Sequence, residues 1–172
     1  MYSALRLEIV IGIEKPLEQT PEDQIKLSED RIQSLLNASY LSAATGQSQE
    51  ALDKAKEAYK QEKTLSTLRE QVKLAPQSQN VDLTFCVLLN LADKYHLNGL
   101  YNEAIQVYQV ILKNKTFNQP GRLRVNLGNI YMELENYGMA VKMYRMALDQ
   151  IPSSHSIIRW VTYLWMSFNA CP

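Results

Sequence analysis

LGNIYMELENYGMAVKMYRMALDQIP, residues 127–152, decides the fold. It has no His and no Cys, yet its small, aromatic and proline residues are tightly spaced. A catalytic site would make polar groups converge on one point, whereas helix packing would make the same spacing recur. It recurs. Leu91 and Leu127, Tyr95 and Tyr131, Tyr101 and Tyr137, Ala104 and Ala140, and Tyr108 and Tyr144 each lie 36 residues apart. Each copy reads Leu-small-x-x-Tyr, then Tyr-x-x-Ala-x-x-x-Tyr, with Ala92 or Gly128 as the small residue. A fainter copy lies upstream, where Gly46, Ser48, Ala51, Ala55 and Ala58 align with Gly99, Tyr101, Ala104, Tyr108 and Ile111.

Packing explains this pattern. Small residues let two helices of a hairpin approach closely, and tyrosines and leucines fill the space between hairpins. The bend needs a residue that tolerates a left-handed backbone, hence glycine at 46 and 99. One hairpin cannot bury its apolar face, so copies stack into a solenoid.

Local signals place the helices. In TPED, Thr20 caps, Pro21 suits the first helical position, and Glu22 and Asp23 favour the positive end of the dipole. That helix runs to about Ala44 and ends at Thr45-Gly46. SQEALDKAKEAYKQEKTLSTLREQVKL (48–74) is rich in Ala, Lys, Glu and Leu and predicts one long, coiled-coil-like helix. APQSQN breaks it at Pro76. A second pair starts near Val81 and bends at Asn98-Gly99; after TFNQPG a third runs from Arg122 to Gln150, stopped by Pro152. No segment alternates like a strand. The expected fold is all-α, a right-handed solenoid of antiparallel helix hairpins. Residues 1–20 form a tail and linker, 21–152 about three hairpins with the first degenerate, and 153–172 an incomplete fourth-repeat helix or truncated tail.

Composition excludes several functions. At 172 residues, 46% hydrophobic and 21% charged, the chain suits one globular domain. Eighteen basic and eighteen acidic residues leave no net field to favour nucleic acid or an anionic membrane. Cys86 and Cys171 are too few and too separated for a disulfide framework or a zinc site, which favours a reducing compartment. MYSALRLEIVIGI carries Glu8 in its apolar run and makes a poor signal peptide. IIRWVTYLWMSFNA is too short to span a bilayer and contains Arg159, so no membrane insertion is expected.

No catalytic, metal or cofactor motif emerges, so neither a cofactor nor a small-molecule substrate is expected. His96 and His155 lack partners at ligand spacing and read as solvated or bend histidines. Glu133 and Glu135 do not face each other on a helix and read as surface charges. Cys86, within VDLTFCVLLNL, reads as a core residue. A hydrolase pairing Cys86 with His96 is rejected unless the helix breaks between them. Ten helical residues rotate one by nearly 280 degrees from the other, so they point in different directions. What remains is the inner groove, lined by the first helix of each hairpin. Its polar members by register are Asn90, Asp93, Arg122, Asn126 and Asn129, suited to an extended partner's backbone. Trp160, Leu164, Trp165 and Phe168 in the tail either cap the last hairpin or leave a second, apolar surface.

The repeat resembles the tetratricopeptide family, whose unit is about 34 residues with small, aromatic and proline positions in this order. Leu127, Gly128, Tyr131, Ala140, Tyr144, Ala147 and Pro152 match. Leu88 and Arg124 stand where the signature tryptophan belongs, and Ile111 replaces the third small residue. A closer likeness is carried by YNEAIQVYQVILKN (101–114), GRLRVNLGNIY (121–131) and YRMALDQIP (144–152), with EALDKAKEAYKQEKTLSTLREQV and VDLTFCVLLNLADKY upstream. From about Ile32 to Ser153 the chain resembles the tetratricopeptide-repeat subunits of intraflagellar transport complex B. Those subunits are several times longer, and SIIRWVTYLWMSFNACP departs from their pattern. The resemblance implies a non-enzymatic scaffold that binds other complex B subunits at the cilium, basal body or centrosome, and cytoplasm. The alternative is an adaptor of the co-chaperone type that grips a peptide carboxylate in its groove. Asn90 and Asn126 match later positions of that clamp, but Leu36 and Leu89 stand where its first lysine belongs.

Overall fold

A computed structural model of the chain describes residues 20–71, 80–117 and 120–150. It contains α1 (Pro21–Ala44), α2 (Ser48–Gln71), α3 (Val81–Leu97), α4 (Tyr101–Lys113), α5 (Pro120–Glu133) and α6 (Tyr137–Leu148). No strand occurs among the described residues, and the all-α expectation holds. Pro152 and the apolar tail beyond it lie outside the described residues.

The helix starts follow from side chains. Thr20 Oγ1 accepts from the Asp23 amide at 3.2 Å, and Asp23 accepts from the Thr20 amide at 3.2 Å, closing a capping box. Asn80 caps α3 through the Leu83 amide at 3.0 Å, and Asn136 caps α6 through the Met139 amide at 3.2 Å. Each satisfies an amide that the first helical turn leaves without a backbone partner.

One turn is used three times. Gly46, Gly99 and Glu135 have φ values of 80°, 71° and 58°. In each case the bend amide bonds the carbonyl three residues back (Ala43, His96, Met132) and the following amide bonds the carbonyl five back (Ser42, Tyr95, Tyr131). This is the paired hydrogen-bond pattern of a Schellman cap, which wants glycine at its left-handed position. Glu135 occupies that position with a Cβ. Glu135→Gly should raise stability by about 1 kcal/mol, read as a higher urea midpoint at unchanged slope.

Packing runs along the chain. Hairpins α1–α2, α3–α4 and α5–α6 close on themselves, while α2–α3, α1–α3 and α4–α5 join one hairpin to the next. Ala51, Ala55, Ala58, Ala92, Ala104 and Ala140 are fully buried at the close approaches. Gly128 is the tightest. A Cβ built there would stand under 3.0 Å from three ring atoms of Tyr144. The largest buried cluster joins Ala92 of α3 and Ala104, Tyr108 and Ile111 of α4 to Leu123, Leu127 and Ile130 of α5. Leu91 and Ala147 are also buried, while Tyr95 and Tyr131 are half-buried against the core.

The first hairpin differs from the others. Its helices have 24 residues each, against 12 to 17 for the rest. Its extra turns carry polar ties. Arg69, almost fully buried, pairs with Glu29, and Glu62 accepts from Thr84 Oγ1 at 2.8 Å, fastening α2 to α3. Alanines at 55 and 58 stand where the second hairpin has Tyr108 and Ile111, so this hairpin packs with less side-chain volume.

Candidate functional site

The first helices α1, α3 and α5 present the polar positions that periodicity assigns to a groove. The structure separates them. Asn90, expected at the groove surface, is fully buried. Its Nδ2 donates to Ser39 Oγ at 3.1 Å, and Ser39 donates to the Ala51 carbonyl at 2.8 Å. Although the buried Asn90 Oδ1 has no hydrogen-bond partner among the described residues, the amide nitrogen thereby ties α3 to α1 and α2 through an internal polar link. Asn90 is therefore unavailable to a partner, and one of the two matching clamp asparagines is spent inside the fold.

Asp93 and Asn126 remain half-exposed and meet at Tyr108 of α4. The phenol donates to Asp93 Oδ1 and accepts from Asn126 Nδ2, the latter at 3.1 Å. Asn129 sits one repeat beyond Asp93 and plays the same part, accepting from Tyr144 at 2.8 Å. In the second and third hairpins the second-helix tyrosine thus fixes a polar residue of the first helix. Periodicity placed both residue sets but not the bond between them.

Arg122 is exposed on α5. Its charge acts on the phenols of Tyr40 and Tyr108, opposing the rise caused mainly by burial and then by Asp93. Lys94, largely buried, lays its Nζ 5.0 Å from the centre of the Tyr40 ring. Burial lowers its pKa, and Asp93 opposes that. The contact of Lys94 on α3 with Tyr40 on α1 is one that repeat counting missed, since the degenerate first hairpin has no tyrosine-marked register. Cys86 is exposed, which corrects the core assignment. The α3 run VDLTFCVLLNL is apolar on nearly every side, but its buried face is Leu83, Val87, Asn90, Leu91 and Lys94, and Cys86 falls between these positions.

Beside this stretch, between the second and third hairpins, lies an open cleft of about 500 Å³. Asp93, Tyr108 and Asn126 line its inner side; His96, Tyr101 and Glu133 line its bend side. His96 Nε2 lies 2.9 Å from Glu133 Oε1, so this histidine is paired rather than free at a bend. Residues 96 and 133 are one repeat and one residue apart, a spacing that stacks the last turn of α3 on that of α5. The Glu133 carboxylate also raises the Tyr101 phenol, through a hydrogen bond first and its charge second. Among the described residues no group of His, Cys, Asp and Glu is arranged to hold a metal ion. No helix of the described residues is long and apolar enough to cross a membrane.

The shifted phenols give a signed pH dependence. Tyr40, Tyr95, Tyr101, Tyr108 and Tyr144 all have raised values. For all but Tyr101 burial is the first cause, and for Tyr108 Asp93 adds to it. A raised phenol keeps its proton in the folded state after the unfolded chain has lost it. The stability contributed is complete below the unfolded value of about 10 and falls as pH rises above it. Thermal melts should therefore hold steady to pH 9 and drop beyond about pH 10, with a shallower drop in Tyr108→Phe.

Stacked helix hairpins with small residues at their crossings, a left-handed bend and a groove on the first helices define a tetratricopeptide-like solenoid. A tetratricopeptide repeat model matches residues 121–154, which covers α5 and α6. Over 152 residues, 86% of this chain, the sequence is 45% identical to the human protein called intraflagellar transport protein 88 homolog. The chain spans 18% of that relative's length.

Proposed function

We propose that this chain is a non-enzymatic scaffold segment of the intraflagellar transport type, which holds other complex B subunits in the assembly that moves cargo along the cilium. The observation that carries this reading is the 45% identity to the intraflagellar transport protein 88 homolog, spread over nearly the whole chain. The mechanism is surface presentation. Residues 21–152 act as the working unit, and its rigid hairpins fix Asp93, Arg122, Asn126 and Asn129 on one groove. A partner segment laid along α3 and α5 meets side chains already held by Tyr108 and Tyr144, so little rotamer entropy remains to be lost on docking. Its place of work is the cilium, with the basal body or centrosome and the cytoplasm as stations of the same assembly. Neither nucleic acid, membrane insertion nor a small-molecule substrate enters this role.

The co-chaperone alternative receives less support. Leu36 is buried and Leu89 half-buried where a clamp lysine is needed, and Asn90 is committed to Ser39.

The test is a pull-down from ciliated-cell extract with the full 172-residue chain, beside its Arg122→Glu variant. Arg122 is exposed and free to be inverted without disturbing the core. Recovery of complex B subunits by the parent chain, reduced by the variant, supports the scaffold and its groove. Recovery of chaperones alone overturns the reading.

A further inference from the structure

The cleft between the second and third hairpins has a chemical character of its own. Two carboxylates from different repeats, Asp93 and Glu133, line one space of about 500 Å³, and neither Arg122 nor Lys94 lines it. Tyr101 and Tyr108 line the same space; the Tyr108 ring is buried in the core and its hydroxyl is already bonded to Asp93. Asn126 spends its Nδ2 on Tyr108, which leaves its carbonyl oxygen as a further acceptor. The lining therefore offers acceptors and the Tyr101 ring, with the His96 imidazole already set against Glu133.

Elsewhere the same molecule satisfies such rings internally. Lys56 lies over Tyr95, Lys63 over Tyr59 and Lys94 over Tyr40, with the nitrogens 5.0 to 5.6 Å from the ring centres. Among the described residues, no lysine or arginine stands over Tyr101. Its ring instead faces His96, with centroids 6.0 Å apart and planes tilted by 58°.

We infer that this cleft is the docking pocket for an arginine side chain of a protein partner, its guanidinium set between Asp93 and Glu133 against Tyr101. The inference rests on the scaffold reading and names the residue type that the groove selects. A guanidinium suits the site better than an ammonium, for it carries five donors in one plane and stacks on aromatic rings. The separated acceptors on Asp93, Asn126 and Glu133 need several donors pointing in different directions. One flat cation supplies them while its face covers a phenol. An acidic side chain would meet two carboxylates and is repelled.

The test uses the full chain, labelled with nitrogen-15, and three five-residue peptides of glycine and serine with arginine, glutamine or glutamate at the centre. The arginine peptide should shift the amide signals of Asp93, Gly99, Asn126 and Glu133 in a saturable way, and the other two should not. Glu133→Gln and Asp93→Asn, which keep hydrogen-bond acceptors in place, should each weaken arginine binding about tenfold, and Glu57→Gln on α2 should leave it unchanged. Equal shifts from the glutamine peptide, or undiminished binding in both carboxylate variants, would overturn the pocket. That failure is separable from failure of the scaffold reading, which the pull-down reads without any peptide.

Discussion

Gly128→Leu unfolds the third hairpin. Glycine in a helix interior ordinarily costs about 1 kcal/mol relative to alanine, so a reason is needed for its place in the middle of α5. The reason is the Tyr144 ring, which leaves no room for even a Cβ at that position. The ring cannot simply swing aside, because its hydroxyl is held by Asn129 and its body is buried against the hairpin. Leucine adds four heavy atoms to this contact, and overpacking of that kind costs about 3 kcal/mol. A single short hairpin at the edge of the described solenoid has little surplus from which to absorb it. The expected result is loss of amide protection across α5 and α6 while α1 to α3 keep theirs, with helical ellipticity reduced in proportion. Gly128→Ala should show a milder form of the same defect. Adding Tyr144→Leu should relieve it, and the interaction term of that double-mutant cycle measures the contact directly. An unchanged melting curve for Gly128→Leu would sink the assigned repeat register.

Tyr108→Ala should be the most damaging truncation in the middle of the chain. The side chain is fully buried among Ala92, Ala104, Ile111, Leu123, Leu127 and Ile130, and it belongs to three helices at once. Its ring fills the junction of α3, α4 and α5, while its hydroxyl joins Asp93 to Asn126. Removing a buried ring costs about 4 kcal/mol. Removing only the hydroxyl, in Tyr108→Phe, leaves the packing and should cost about 1.5 kcal/mol. Urea titrations of both variants separate the two contributions. If Tyr108→Phe proved as harmful as Tyr108→Ala, the packing account of this position would fail.

The contrast between these positions and the groove shows what a sequence carries openly. Ala104, Tyr108, Ala140 and Tyr144 answer to the same neighbour in successive hairpins, so one physical demand prints itself at a fixed interval and the all-α repeat fold is readable. Polar partners follow no such rule. Asn90 and Asn126 occupy equivalent positions one repeat apart, yet one turns inward to Ser39 and the other meets Tyr108. The difference lies in the preceding hairpin, where α2 has Ala55 in place of a tyrosine and so has no phenol to offer. Cys86 was hidden by a run of apolar residues that gives α3 no clear periodicity. His96 and Glu133 were each readable as solvated side chains, because a hydrogen bond between hairpins depends on how far one hairpin is rotated on the next. Glu135, read from the sequence as a surface charge, lies 36 residues after Gly99, where the turn is kept and its usual residue is not.

The order of helix contacts has a consequence for how the molecule comes apart. The main contacts of each described hairpin are with the one before and the one after it. Cohesion in such an array is a property of borders rather than of a common centre. The middle hairpin, with a border on each side, should be the last to exchange its amides, and the flanking hairpins should open earlier and independently. Damage would then travel only as far as the next border. A lesion in α6 could silence one stretch of the groove and leave the adjoining stretch in working order.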